Sequence, residues 1–248
     1  MKVWRNPAAA SALLARIRSE RPDRSGLHLS GLISCARRTF WQLRHPEDFG
    51  DGGPYAEDDG FTLVVALGKG FHNMLEDGEE TTYEQDGVLF TPDDLEDDLV
   101  VEIKETRKSS RQSPADGQLY NYVEQAAGYC VYLSKQLGRP ITKARLAVVH
   151  ICGDWKGSPM PVLHVWDLEF EDWELEAWGK ELDRRKKLIL RAKTIDDIPL
   201  YEHYAGGKTD RNWECNYCPL KDHICPGGGG ERLPFFPHVI DMGETRGN

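Results

Sequence analysis

The stretch L-V-V-E-I-K-E-T, residues 99–106, decides how the chain is read. Its branched apolar residues describe a strand, and alternation along that strand puts Glu102 and Lys104 on one face and Val101 and Ile103 on the other. A carboxylate and an ammonium are costly to bury unless they are paired or bound to metal. Taken alone, E-I-K therefore reads as an edge strand with a solvated polar face. The preceding F-T-P-D-D, residues 90–94, alters that reading because a short hairpin would present Asp93 or Asp94 beside Glu102. Two carboxylates converging at strand ends suit a hard divalent ion such as Mg²⁺ or Mn²⁺. Lys104 would then stabilise charge on a phosphate or orient a water. Asp93, directly after Pro92, is the better candidate, and a register slip of one residue would exchange it with Asp94.

Working outward, residues 81–90 and 99–106 read as a β-hairpin joined through 92–98. Residues 114–138 return to helical periodicity, residues 145–152 and 162–170 form another hairpin, and 172–193 is a charged amphipathic helix. Upstream, the spacing predicts helices over 8–18 and over 31–43, the latter capped by Ser30 and carrying Cys35. Residues 46–60 read as an exposed loop, followed by a helix bearing L-G-K-G-F-H-N-M-L-E, residues 67–76. In that helix a neutral His72 can ligate Mn²⁺, while Gly68 and Gly70 allow close backbone approach. Gln125 and Tyr129, four apart, share a helix face and could hold a nucleic-acid backbone or base. The order of elements points to one α/β core with helical and cysteine-bearing additions.

Composition sets bounds on this picture. A length of 248 residues with 40% hydrophobic and 29% charged residues fits a soluble globular protein of one large or two small domains. There is no long apolar run that would span a membrane, and M-K-V-W-R-N-P-A-A-A-S-A-L-L-A-R-I-R-S-E is too charged for a secretion signal, so a cytoplasmic location and no membrane partner are expected. The net charge of -10 argues against nonspecific attraction to nucleic acid. It leaves room for a local basic groove from Arg37, Arg38, Lys104, Arg107, Lys108 and Arg111.

Near the C-terminus, W-E-C-N-Y-C-P-L-K-D-H-I-C-P supplies Cys215, Cys218 and Cys225, one thiol short of a tetrahedral site. In an intracellular protein a C-x-x-C motif reads as metal-binding or redox-active, and four thiolates suit either zinc or an iron-sulfur cluster. Cys130 and Cys152 fall on apolar faces and read as core. A thiol redox protein built on C-x-x-C is a further reading, but it leaves the carboxylates unexplained.

Taken in order, G-x-x-x-H at 68–72, P-D at 92–93, E-x-K at 102–104 and Q-x-x-x-Y at 125–129 resemble the motifs of the RecB-like branch of the PD-(D/E)XK nuclease superfamily. The resemblance implies a divalent ion held by His72, Asp93, Glu102 and the backbone carbonyl of Ile103. It also implies Lys104 as the catalytic lysine, with Gln125 and Tyr129 supporting the site or contacting DNA. One cysteine before the core and three after it resemble the subset that includes CRISPR-associated exonucleases, phage relatives and AddB-type helicase-nucleases. In that subset Cys35, Cys215, Cys218 and Cys225 would bind a 4Fe-4S cluster. The implied fold is α/β, a restriction-endonuclease-like core with a mixed central sheet flanked by helices and an iron-sulfur subdomain formed by both ends of the chain. Its implied parts are an N-terminal helical segment at 1–60, the nuclease core at 61–195, the cysteine segment at 196–226 and a Gly/Pro-rich tail at 227–248. The implied activity is a Mg²⁺- or Mn²⁺-dependent exonuclease on single-stranded or frayed DNA, running 5′ to 3′. The alternative is a DNA-end-binding module of a recombination or CRISPR-adaptation complex, or the same nuclease with structural zinc. Expected partners are single-stranded DNA, further copies of the protein and recombination or CRISPR proteins.

Overall fold

A computed structural model describes residues 25–46, 66–68, 70, 81–117, 119–154, 157, 160–199 and 220. The helix expected over 8–18, most of the loop over 46–60, His72, the three C-terminal cysteines and the tail lie outside the described residues. Among the described residues no helix is long and apolar enough to cross a membrane.

The architecture is mixed α/β, with a mixed sheet flanked by helices. Two helices, α1 (Leu29–Ile33) and α2 (Ala36–Arg44), precede strands β1 (Tyr83–Gln85), β2 (Val88–Phe90), β3 (Asp94–Glu96) and β4 (Leu99–Thr106). Helix α3 (Tyr120–Leu137), strands β5 (Lys143–His150) and β6 (Val162–Glu169) and helix α4 (Asp172–Arg191) follow. The main sheet has the order β3-β4-β5-β6, with β4 and β5 parallel and the outer pairs antiparallel. Parallel neighbours need a crossover, and α3 supplies it. It packs Ala126, Tyr129, Cys130 and Leu133 with Val100 and Ala144, while Leu119 and Val123 pack on Leu146 and Val148. Through this packing Val100, Glu102 and Lys104 face the helix, since they alternate on one side of β4.

The expected hairpin over 81–90 and 99–106 is corrected by the structure. Strand β1 pairs with β2 in a separate two-stranded sheet, turned by Asp86 and Gly87, both with positive φ (56° and 73°). An Asp-Gly turn of this kind closes a hairpin of its own, and here it interrupts a stretch whose composition reads as continuous strand. The partner of β4 comes instead from within the supposed loop: β3 aligns Asp94 with Val101 and Glu96 with Leu99. The expected hairpin of 145–152 with 162–170 corresponds to β5–β6, although Cys152 lies beyond the end of β5 and is half-buried. The helix expected from residue 114 begins with a short turn, Pro114–Asp116, and only becomes α-helical at Tyr120.

The helix expected over 31–43 is broken. Ser30 sits inside α1 rather than capping it, and Cys35 is the extended N-cap of α2, with φ of -64° and ψ of 116°. Arginines fix this bent pair of helices to the C-terminal part of the described residues. Arg185 on α4 donates to the carbonyls of Leu32 (2.9 Å) and Ile33 (3.2 Å), capping α1, while its Nε donates to Glu181 (2.9 Å). Arg37 donates to the Ile198 carbonyl (2.6 Å), and Arg44 to that of Ala192 (3.2 Å). Arg37, expected to track nucleic acid, is 7% exposed and holds the fold together instead. Without Arg185 the Leu32 and Ile33 carbonyls lose their donor while Glu181 keeps Arg184, so Arg185→Ala is expected to cost about 1–3 kcal/mol, read as a lower urea midpoint with unchanged slope.

Candidate active site

Strand β4 lies inside the sheet between β3 and β5, and its polar residues are not a solvated edge face. Glu102 is 0% exposed, so the edge-strand reading of E-I-K is overturned by burial. Its carboxylate pairs with the ammonium of Lys104, whose side chain is 20% exposed. Burial alone would lower the Lys104 ammonium, but Glu102, followed by Asp93, holds it above the ordinary lysine range. Lys104 therefore stays cationic at neutral pH and is suited to stabilising negative charge rather than to taking a proton.

The register separates the two aspartates. Asp94 sits opposite Val101 within β3, and its Oδ1 accepts its neighbour's amide, Leu95 N–H, at 2.7 Å. Extending the same antiparallel register by one residue sets Asp93 opposite Glu102, and Asp93 Oδ2 accepts the N–H of Ile103. A carboxylate thus takes the place of a strand carbonyl where β3 ends. Pro92, which has no N–H to offer a sheet, immediately precedes it.

Helix α3 holds this turn from behind. The Tyr129 hydroxyl donates to the Thr91 carbonyl at 2.9 Å and accepts from Gln125 Nε2 at 2.7 Å. Tyr129 is only 4% exposed, so the Q-x-x-x-Y pair positions the P-D turn, and its tyrosine does not reach a surface where DNA could lie. On the other side of β4, the buried Gly68 meets Glu105: a Cβ built on Gly68 would lie 2.8 Å from a Glu105 carboxylate oxygen. Gly68 thus sits against β4, and a side chain at 68 would require the Glu105 carboxylate to swing aside. His72 itself is outside the described residues.

The basic residues divide. Arg107 is exposed just past β4, Lys108 is half-buried with its ammonium 5.9 Å from the Tyr122 ring centre, and Arg111 pairs with Asp154 at 2.5 Å. Arg38 is half-buried on α2, and Cys35 lies at the bend before it. Tyr122 joins the site although it belongs to none of the four motifs. It reaches Thr106 by a hydrogen bond and lies close enough to feel the charge of Lys104, with burial raising its phenol above the ordinary range. It stands three residues before Gln125 on the same helix face, which is the sequence pattern that points to it.

Carboxylates from Asp93 and Glu102 and the Ile103 carbonyl are hard oxygen donors of the type Mg²⁺ and Mn²⁺ prefer. Among the described residues no group of three or more His, Cys, Asp and Glu side chains converges to hold a metal. The described donors fit part of a divalent-ion site, and a further ligand has to come from elsewhere.

No protein-family model matches the chain, and a search of curated proteins finds no match. The fold defines a mixed α/β protein. Among solved structures it is similar to the crystal structure of SSO0001, at 17% identity and a TM-score of 0.52, over 88% of this chain and 96% of that one. At that identity the likeness is one of fold.

His150, at the end of β5, is buried beside this region and its Nδ1 lies 3.1 Å from the Lys108 carbonyl. Burial lowers its imidazole below the ordinary range, the Lys108 carbonyl opposes that, and His164 adds to the lowering. The unfolded protein protonates at the ordinary value of about 6.5, so below it the unfolded state binds more protons. His150 thus contributes stability that is complete above about pH 6.5 and lost as the pH falls through the window below. Between about pH 7.5 and 5.5 the wild type should lose more stability in urea titrations than His150→Phe does.

Proposed function

We propose that the protein is a divalent-metal-dependent nuclease of the RecB-like PD-(D/E)XK type, acting on single-stranded or frayed DNA ends. The observation that carries this reading is the charged pair on β4: Glu102, wholly buried, bound to Lys104, with Asp93 on the neighbouring N–H. A buried ion pair is weak evidence for stability, because apolar residues of similar volume commonly pack as well or better. Its presence on a strand inside the sheet, with a second carboxylate in register, is what phosphoryl chemistry needs.

Asp93, Glu102, the Ile103 carbonyl and His72 would hold the ion, which when bound supplies an activated water and a Lewis acid for the phosphodiester. The protein's own residues do the rest. Tyr129, gripping Thr91, and Ile103 N–H fix the Asp93 carboxylate, so that little reorganisation is left for the reaction. Lys104 presents a fixed positive charge to the phosphate as its oxygens gain negative charge. Arg107 and Lys108 continue the cationic path for the nucleic-acid backbone beyond β4. A 5′ to 3′ polarity follows from the resemblance.

Cys35, Cys215, Cys218 and Cys225 would bind a 4Fe-4S cluster of structural role. Support comes from the arginine ties: α1 and α2, which bracket Cys35, are fastened to α4 and to Ile198, the stretch that leads toward the cysteine segment. A cluster there would close the chain on itself, with zinc as the alternative metal.

Lys104→Ala and Lys104→Met are each expected to lower Mn²⁺-dependent degradation of a single-stranded oligonucleotide by about 10²–10³-fold with unchanged circular dichroism. Undiminished degradation in a clean preparation of either variant overturns the assignment. Cys35→Ala should lose visible absorption and iron as completely as Cys218→Ala does. Colourless wild-type protein with stoichiometric zinc, purified without oxygen, replaces the cluster with zinc and leaves the nuclease reading standing.

A further inference from the structure

The rows that start at the charged pair continue across the sheet. Lys104 aligns with Val148 and Val148 with His164; Glu102 aligns with Leu146 and Leu146 with Trp166. Residues in register share a face, so His164 and Trp166 lie on the same side as Glu102 and Lys104, two strands away and about 10 Å across. Between them Leu146 and Val148 are covered by Leu119 and Val123 at the start of α3. His164 and Trp166 lie on β6, the outer strand of the sheet among the described residues.

Their rings meet edge to face, with centroids 5.4 Å apart at 87°. His150 stands behind them, 5.2 Å from His164, fully buried and turned toward the Lys108 carbonyl. It forms a wall and is not itself within reach of a ligand. His164 and Trp166 are each half-buried, and among the described residues the His164 ring makes no hydrogen bond. Two aromatic rings are thus fixed by their neighbours at an outer strand, Trp166 by packing on the cluster of Leu119, Val123, Leu146 and Val148. Positive charge lies along the way back to β4, on Lys108 over Tyr122 and on the exposed Arg107.

Aromatic rings beside cationic side chains suit an unpaired base and its phosphate, because every base offers a π-face whatever its identity. Duplex bases are already stacked and cannot use such rings. We propose that His164 and Trp166 form a stacking platform for a base of single-stranded nucleic acid whose backbone passes Glu102 and Lys104. This deepens the nuclease reading and rests on it. The platform sets how the strand lies relative to the reacting phosphate and is indifferent to sequence.

The test couples loss of the ring to loss of the base. Labelled oligothymidylates, intact or with one abasic site moved along the strand, are titrated in Ca²⁺ with the wild type, His164→Ala and Trp166→Phe, and metal-dependent cleavage is measured in parallel in Mn²⁺. For the wild type, abasic sites confined to one stretch of the strand should weaken binding about tenfold. His164→Ala should bind the intact strand about tenfold more weakly, with no further loss from those abasic sites, while Trp166→Phe keeps the wild-type pattern. Wild-type affinity in His164→Ala, or an abasic penalty that survives there undiminished, overturns the platform while leaving a cleaving wild type as a nuclease. A wild type that neither binds nor cleaves any of these strands overturns both readings.

Discussion

A fully buried carboxylate, paired with a lysine two residues along the same strand, is the constraint to which the rest of this structure answers. A buried carboxylate is tolerable only when paired, and Lys104 supplies the partner from the same strand, which β5 holds along its whole length and β3 at its start. Parallel pairing with β5 supplies one side, and it obliges the backbone to cross over the sheet through α3. The same helix then lays its buried face over Val100 and Ala144 and brings Tyr129 to the P-D turn. The crossover that makes the sheet possible also aligns the site.

The periphery is built on a different principle. Around the two short helices, the buried Arg37 and Arg185 and the exposed Arg44 reach backbone carbonyls at Ile198, at Leu32 and Ile33, and at Ala192. Each guanidinium satisfies carbonyls at a helix end or turn that would otherwise need water. An interface made this way is specific in geometry, since a carbonyl must meet a planar donor, whereas apolar packing tolerates sliding. The helix bend that bears Cys35 is thereby held in one position relative to α4.

The chemistry of the β4 region is legible in the sequence, and the strand pairing is not. E-x-K, P-D and Q-x-x-x-Y can be picked out residue by residue, and the structure brings Asp93, Ile103, Glu102 and Lys104 together with Tyr129 behind them. The partner of β4 is hidden because residues 81–90 have a strong strand composition, while the true partner, Asp94–Glu96, is short and acidic and looks like loop. Local propensity is overridden there by the register that the turn imposes. Burial of β4 is hidden for a related reason: alternation of polar and apolar residues ordinarily marks a half-solvated strand, and only tertiary packing tells that α3 covers the polar side. Arg37 looks like a surface cation because sequence carries no sign of which carbonyl a side chain will find.

The brevity of β3 has one more consequence. Paired with only Leu99 to Val101, it leaves the rest of β4 without a strand on that side among the described residues. A strand without a neighbour can take up a strand of a second molecule wherever nothing else covers it, the first step toward aggregation. Proline and aspartate in sequence are an effective guard against such addition, one lacking a donor and the other bringing charge. The dipeptide that serves the proposed chemistry thus also sets, just ahead of β3, a residue without a donor and a charge that takes up the Ile103 N–H, both of them features that discourage strand addition.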